Sequence, residues 1–527
     1  MKYKNLLIFL IIFLSIFLRL YKLGEIPPGF HQDEVSQAYN AFSILKTARD
    51  RYGELLPILF RSFASYQPPV YTYLTPIPIL IFGNTIFAAR FTSAFFGVLT
   101  VILTYFLVYH LCKPRYREKI SLIAALVVAV SPWSIHFSRR VVEGNLGIFF
   151  FLLSLFLLLK SLKNVRLFPI ATFILSIATH AYYSERLIAA IFLPVFLIYY
   201  RKYFLKYYKW LILGLLTLVA GLAPHIVTII GGAFASRFNQ VASGGNSPLV
   251  LEFFKHYFSY FSPKNLFSDI GSDLGRISPG LGVFFTWMFI PFLAGIYFLR
   301  RVVDEKFLGI LGIFLVISLI PVALTGDVFY PLRALEFLWI LSFVISIGLV
   351  VLLSMIKSNP LKILIGAILL IYSLGTFYVS YFVLFKHEST ENVGQAYIAL
   401  FQEFQKYKNY SMVIDSARDP AAGLRIAYLS KFDPVILQKE LRQQMISPYY
   451  SGKVELNDVY TVGNIVARPI NWGIDRCAKN TILVGDNLTF SDPQIKDHNL
   501  KKLFEIKSVN KDFILFGYGT NPDKNCL

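Results

Sequence analysis

Long apolar runs recur through the first three quarters of this chain, and they decide what it can fold into. They cover residues 6–20, 87–111, 120–135, 146–159, 167–181, 187–199, 210–230, 281–299, 307–324, 334–355 and 363–384. With 56% hydrophobic and only 16% charged residues, a soluble globular fold could not hide this much apolar surface. The expected class is an α-helical polytopic membrane protein with about eleven transmembrane helices. Several runs are shorter than the roughly 20 residues that a perpendicular span needs, so flanking aromatics or neighbouring helices must complete them.

Cytoplasmic loops collect Lys and Arg, which fixes an expected orientation. Lys2 and Lys4, Lys113 to Lys119, Lys160 to Arg166, Arg201 to Lys209, Arg300 to Lys306, and Lys357 with Lys362 occupy every second connection. The N-terminus is therefore predicted to be cytoplasmic. Connections 21–86 and 231–280, and everything after about residue 386, are predicted on the outer face of the cell membrane. The net charge of +20 is then a topology signal plus attraction to anionic headgroups, and no nucleic-acid partner is implied. No small-residue cleavage site follows the first run, so it reads as a retained anchor.

Two domains are expected. Residues 1–385 form the transmembrane part, with an outer loop 22–86 in which residues 36–49 read as an amphipathic interfacial helix ended by Gly53. Residues 386–527 read as a soluble extracytoplasmic α/β domain: helices at 392–407 and 421–431, strands at 411–415 and 481–485, and a two-stranded unit within 503–518. Cys477 and Cys526 lie in this tail and either pair or stay free; Cys112 reads as packing at a span end.

Carboxylates are scarce, so Asp33 and Glu34, in Gly29-Phe30-His31-Gln32-Asp33-Glu34, stand out beside a membrane span. Three further outer clusters follow: Phe137-Ser138-Arg139-Arg140 with Glu143 and Asn145, His180-Ala181-Tyr182-Tyr183-Ser184-Glu185-Arg186, and Asp327 to Arg333. One carboxylate among several cations suits displacement of a phosphate from an anomeric carbon. The phosphate needs positive charge as it leaves, and the acceptor hydroxyl needs a general base. Tyr66-Gln67-Pro68-Pro69-Val70-Tyr71 adds a stiff turn with aromatic faces, suited either to headgroup level or to a sugar ring.

The order of Gly-Phe-His-Gln-Asp-Glu, Arg49-Asp50-Arg51-Tyr52-Gly53, Phe60-Arg61-Ser62-Phe63, Tyr66 to Tyr71, Phe82-Gly83 and Ala89-Arg90-Phe91 resembles the GT-C superfamily. The likeness is to its polyprenyl-phosphate-sugar-dependent glycosyltransferases, related to protein O-mannosyltransferases and the lipid A aminoarabinose transferase. The resemblance implies a polyprenyl-phosphate-linked sugar donor, a protein, lipid or glycan acceptor, and inversion. It implies Asp33 as general base with Glu34 beside it, and Glu143 as a second carboxylate orienting the acceptor or a cation. Arg139, Arg186, Arg333 and His180 are the implied donor-phosphate contacts, with Gln67, Tyr71 and Tyr183 lining the substrate. Related loops often carry His or Lys where this chain has Gln67. The resemblance establishes no cofactor and leaves metal dependence open, a divalent cation being compatible with it.

Structural roles compete at each position. Asp33 is placed to cap the outer-loop helix and Glu34 to supply first-turn charge. Glu143 suits a salt bridge to Arg139 or Arg140, the arginines suit interfacial snorkelling, and His31, His136 and His180 do not share a metal-like spacing. Two other functions are compatible with a polytopic chain. A lipid-linked sugar flippase or transporter would carry internal repeats and polar midplane helices, which are not seen. A glycan polymerase or ligase would place its large outer loop between late spans.

Overall fold

A computed structural model describes residues 4–242, 248–268, 277–388, 394–456, 458–507, 510 and 513–526. The chain divides into two compact units. One comprises Met1–Leu23, Arg90–Ile226 and Phe238–Leu384; the other comprises Gly24–Ala89, Val227–Arg237 and Phe385–Leu527.

The first unit is helical, as apolar segments in hydrocarbon must be, because a helix satisfies its own backbone N–H and C=O groups. Each of the apolar runs contains helix. Among the described residues, five helices are long and apolar enough to cross a membrane: Ile86–Leu111, Glu143–Ser161, Glu305–Ala323, Pro331–Met355 and Asn359–Glu388. Two bent pairs bring the number to 7: Arg117–Val130 with Pro132–Ser138, bent by 56°, and Tyr208–Leu222 with Pro224–Ile230, bent by 47°. A proline opens the second member of each pair, where it lacks an N–H and crowds the preceding turn. Lys4–Leu20, Phe168–Ala181, Tyr183–Tyr199 and Phe289–Val302 are shorter helices. The membrane character is met; by length and composition up to 7 spans are supported among the described residues, and the shorter helices leave the expected count of about eleven unconfirmed.

Leu335–Met355 is the axis of this unit, apolar in sequence and buried continuously from Leu335 to Gly348. It meets Phe289–Val302 backbone to backbone. A Cβ on Gly295 would lie 1.9 Å from the Val344 carbonyl oxygen, and one on Gly348 would lie 1.8 Å from that of Pro291. Only glycine permits such an approach. Trp339 Nε1 donates to Thr104 Oγ1 at 3.0 Å and Trp133 Nε1 to Ser342 Oγ at 3.4 Å, so both buried indoles have their polar atom satisfied.

The second unit holds the strands. β1 (Phe60–Ser62) and β2 (Ser65–Gln67) form a short hairpin. β3 (Ser411–Ile414), β4 (Tyr460–Val462), β5 (Ile465–Ala467), β6 (Thr481–Gly485), β7 (Lys501–Lys507) and β8 (Phe513–Gly519) build a 6-stranded sheet in the order β4-β5-β3-β6-β8-β7. β3 runs parallel to β5 and β6, and the remaining pairs are antiparallel. The helices read at 392–407 and 421–431 appear as Gln395–Phe404 and Ala422–Leu429. Residues 392 and 393, and 508, 509, 511 and 512 of the terminal strand pair, lie outside the described residues. Cys477 and Cys526 are disulfide-bonded, with Cα atoms 5.8 Å apart, and Cys112 is a buried free thiol.

The outer loop packs within this same unit. Gln438 Nε2 donates to Ser43 Oγ and Thr47 Oγ1 at 2.9 and 2.7 Å, and the Tyr39 hydroxyl to the Phe432 carbonyl at 3.0 Å. The buried Arg61 guanidinium reaches the Tyr449, Ser447 and Pro448 carbonyls and Glu455 Oε2, the last at 3.0 Å. The expected helix at 36–49 is corrected to Gln32–Thr47. It ends at Ala48, whose φ is 55°, before Gly53 is reached. Its residues are buried continuously from Glu34 to Ser43, so it is not the one-faced interfacial helix that the apolar spacing implied.

Candidate active site

The start of the Gln32–Thr47 helix determines what Asp33 can do. Its free N–H groups need acceptors, and the sequence His31-Gln32-Asp33-Glu34 supplies them in a capping box. His31 Nδ1 accepts from the Asp33 N–H at 3.3 Å, and Glu34 Oε2 accepts from the His31 N–H at 3.1 Å. The capping role considered for Asp33 is therefore corrected: His31 is the cap, and Glu34, buried to 3% exposure, is its reciprocal partner. The His-x-x-Glu spacing was the signal that could have revealed this.

Asp33 is left with its side chain 50% exposed and Oδ2 3.7 Å from His31 Nδ1. That nitrogen cannot both accept the Asp33 N–H and carry a proton toward the carboxylate, so cap and ion pair are alternatives. Gln67, at the end of β2, fixes the other side of the turn, its Nε2 donating to the Asp33 carbonyl at 3.1 Å. Gln67 is thus brought directly against Asp33. Tyr71 is fully buried, and its hydroxyl donates to the Ala89 carbonyl at 2.8 Å.

The other candidates belong to the first unit. Arg139 closes the bent pair at Pro132–Ser138. It is buried and donates to the Leu18 and Tyr21 carbonyls, both at 2.8 Å, with its guanidinium carbon 5.2 Å from the Tyr381 ring centre. It thereby receives the C-terminal carbonyls of Lys4–Leu20, the negative end of that helix dipole. Arg186 donates to the Thr179 carbonyl at 3.2 Å and lies 4.5 Å from the centre of the Tyr183 ring, so those two candidates are in contact. His180 stacks on His225 with centroids 3.9 Å apart, and its Nε2 is 2.9 Å from the Gly221 carbonyl oxygen. Arg333 is ion-paired with Asp327 at 2.8 Å and lies 4.6 Å from the Tyr330 ring centre.

Tyr182 connects several of these groups. Burial pushes its hydroxyl pKa up, and it feels the charges of Arg333, Glu143 and Glu185. Glu143 begins Glu143–Ser161, and one turn on, Gly147 makes room for Glu185: a Cβ there would lie 2.1 Å from Glu185 Oε1. Glu185 lies against Glu336, Glu185 Oε2 and Glu336 Oε1 have no hydrogen-bond partner among the described residues, and two carboxyls buried side by side resist ionising together. Sequence reasoning did not pair these glutamates, since nothing in either local pattern points to the other. Among the described residues, no three His, Cys, Asp or Glu side chains converge as a metal cage.

Residues 66–227 match the family model described as dolichyl-phosphate-mannose-protein mannosyltransferase. Two relatives come from Bacillus subtilis (strain 168). The chain is 30% identical over 136 residues to "Putative mannosyltransferase YkcB", which is 25% of this chain and 18% of the relative. It is 29% identical over 191 residues to "Putative mannosyltransferase YycA", 36% of this chain and 27% of the relative. The matched segments therefore span less than a third of either relative. The fold is similar to that of ArnT from Cupriavidus metallidurans bound to undecaprenyl phosphate, with a TM-score of 0.62 over 97% of each chain at 12% identity. For apo ArnT from the same organism the TM-score is 0.59 at 11% identity, covering 98% of this chain and 97% of that one.

Proposed function

We propose, taking this chain as a GT-C superfamily protein on its family match and its fold, that it is a membrane glycosyltransferase that moves one sugar from a polyprenyl-phosphate carrier to an acceptor at the outer face of the cell membrane. The observation that carries this reading is the division of labour at the start of Gln32–Thr47. His31 and Glu34 do the capping, and Asp33 keeps a half-exposed carboxylate on a turn fixed by Gln67.

In this reading Asp33 takes the proton from the acceptor hydroxyl or amine as that atom bonds to the anomeric carbon. The bond from that carbon to the phosphate oxygen breaks, and the phosphate leaves with the electron pair, inverting the centre. A positioned base contributes about 10²- to 10⁴-fold. Arg186, Arg333 and His180 stabilise the leaving phosphate, and Arg139 adds its charge while its N–H groups hold the Lys4–Leu20 helix end. Glu143 orients the acceptor or a cation, and Tyr183 lines the substrate path, while Tyr71, fully buried, supports the turn through its bond to the Ala89 carbonyl. That ArnT has been seen with undecaprenyl phosphate supports a lipid-phosphate donor for a chain of the same fold. The N-terminus is cytoplasmic and the β3–β8 region extracytoplasmic.

Mass spectrometry of lipid-linked sugars and external glycans, with and without the active protein, tests the proposal. A lipid-linked sugar should accumulate and one glycan lose a residue when the protein is absent. Unchanged pools of both would overturn it.

A further inference from the structure

The first unit contains a cavity of about 680 Å³, far along the Arg117–Val130 helix from Arg139. Its walls have a regular origin. Lys4–Leu20 contributes residues 7, 10, 11 and 14, and Arg117–Val130 contributes residues 119, 122, 123 and 126, the same i, i+3, i+4, i+7 stripe in each case. The two stripes line a groove that is bounded on its other side by residues of Leu335–Met355 and Asn359–Phe377 and is open at the surface, where Leu7 and Leu10 are exposed. The helix Asn359–Phe377 is largely exposed, with Ser373 and Phe377 its buried residues.

The chemistry of the lining is divided. One end carries Lys119, Lys362, Asn359 and Ser354, with Lys362 Nζ donating to Asn359 Oδ1 at 3.2 Å, and the rest is Leu, Ile and Val. Glu118, the nearest acid in sequence, is drawn toward Lys4, 3.7 Å away. Two cations above an apolar slot complement an amphiphile with an anionic head, and the volume lies within the range of small-molecule sites, about 300–1,000 Å³. Basic pockets between membrane helices recognise lipid headgroups on this principle.

We propose that this cavity is a binding site for one anionic glycerophospholipid, with its phosphate between Lys119 and Lys362 and an acyl chain along the leucine stripes. A polyprenyl carrier is a poorer match, because its far longer tail exceeds the slot. The site is independent of the transfer reaction, so its failure would leave that reading untouched.

Native mass spectrometry of the full-length protein, incubated with dioleoylphosphatidylglycerol, dioleoylphosphatidylcholine or undecaprenyl phosphate, reads this directly. One phosphatidylglycerol should survive activation that strips phosphatidylcholine. The double variant Lys119→Gln/Lys362→Gln should retain it at least about tenfold less, with its lipid-free Tm unchanged. Leu126→Trp, which fills the slot and leaves both lysines, should also lose it. Equal retention of both phospholipids, phosphatidylglycerol retention indifferent to the lysine substitutions, retention of undecaprenyl phosphate that is lost with those lysines, or a second copy of the chain in place of lipid would each overturn the proposal.

Discussion

The two units handle charge in opposite ways. In the second, arginines meet carboxylates: Arg61 with Glu455, Arg425 with Asp419, Arg418 with Asp486 and Arg468 with Asp475. In the first, Arg19 and Arg139 donate to carbonyl oxygens, and Glu185 and Glu336 lie against each other. Arg333 pairs with Asp327 there, and Lys4, Lys113 and Lys306 pair with Glu118, Glu305 and Asp304. A guanidinium held by carbonyls keeps its full positive charge, whereas one held by a carboxylate is neutralised. Arginines of the second unit are thus tied to carboxylates, whereas Arg19 and Arg139 in the first donate to backbone carbonyls and, for Arg19, to serine hydroxyls as well.

The contrast can be broken experimentally, beginning with the largest effect. Arg61→Ala removes a buried guanidinium from one carboxylate and several carbonyls, and should lower stability by about 3–5 kcal/mol in thermal or denaturant unfolding. A loss below about 1 kcal/mol would mean that the pairing in the second unit is not cohesive. Asp50 comes next. It is fully buried, accepts from the Tyr449 hydroxyl at 2.6 Å and from the Tyr52 and Glu54 N–H groups, and burial raises its pKa to about 6. Because the folded value lies above the ordinary one, its stabilising contribution is complete below about pH 4 and is lost as pH rises through about 6, a change on the order of 3 kcal/mol. Asp50→Asn should flatten the stability profile across that window, and an unchanged profile would show the group to be ionised throughout.

In the first unit the effects are steric and smaller. Gly147→Ala places a Cβ against Glu185 Oε1 and should cost about 1–3 kcal/mol, most of it restored when combined with Glu185→Ala. Additive losses would mean that the two residues do not share the space. Glu336→Gln should change stability by less than about 1 kcal/mol, since its amide donates what the shared proton supplies. A large loss would show that the two acids do not share a proton.

Much of this was legible from residue order, because the causes are local. Apolar length predicts helix and the short apolar runs at 411–414 and 481–485 predict strands, whereas the bends after Ser131 and Ala223 went unread although a proline marks each. The sheet order was not legible, since pairing partners lie far apart in sequence and the three-residue strands β4 and β5 give no periodic signal. At the site, Asp33 stood out by its rarity, but the His31–Glu34 cap that releases it was missed because histidine is an uncommon N-cap. Arg139 read as a phosphate ligand because its partners, the Leu18 and Tyr21 carbonyls, are backbone groups more than a hundred residues away and invisible in any motif.

The account depends most on the carboxylate of Asp33. In proteoliposomes containing the purified protein, a radiolabelled polyprenyl-phosphate sugar and its acceptor, Asp33→Asn should lower the transfer rate by roughly 10²- to 10⁴-fold while carrier binding and Tm stay near the unmodified values. Transfer at the unmodified rate by Asp33→Asn would contradict it.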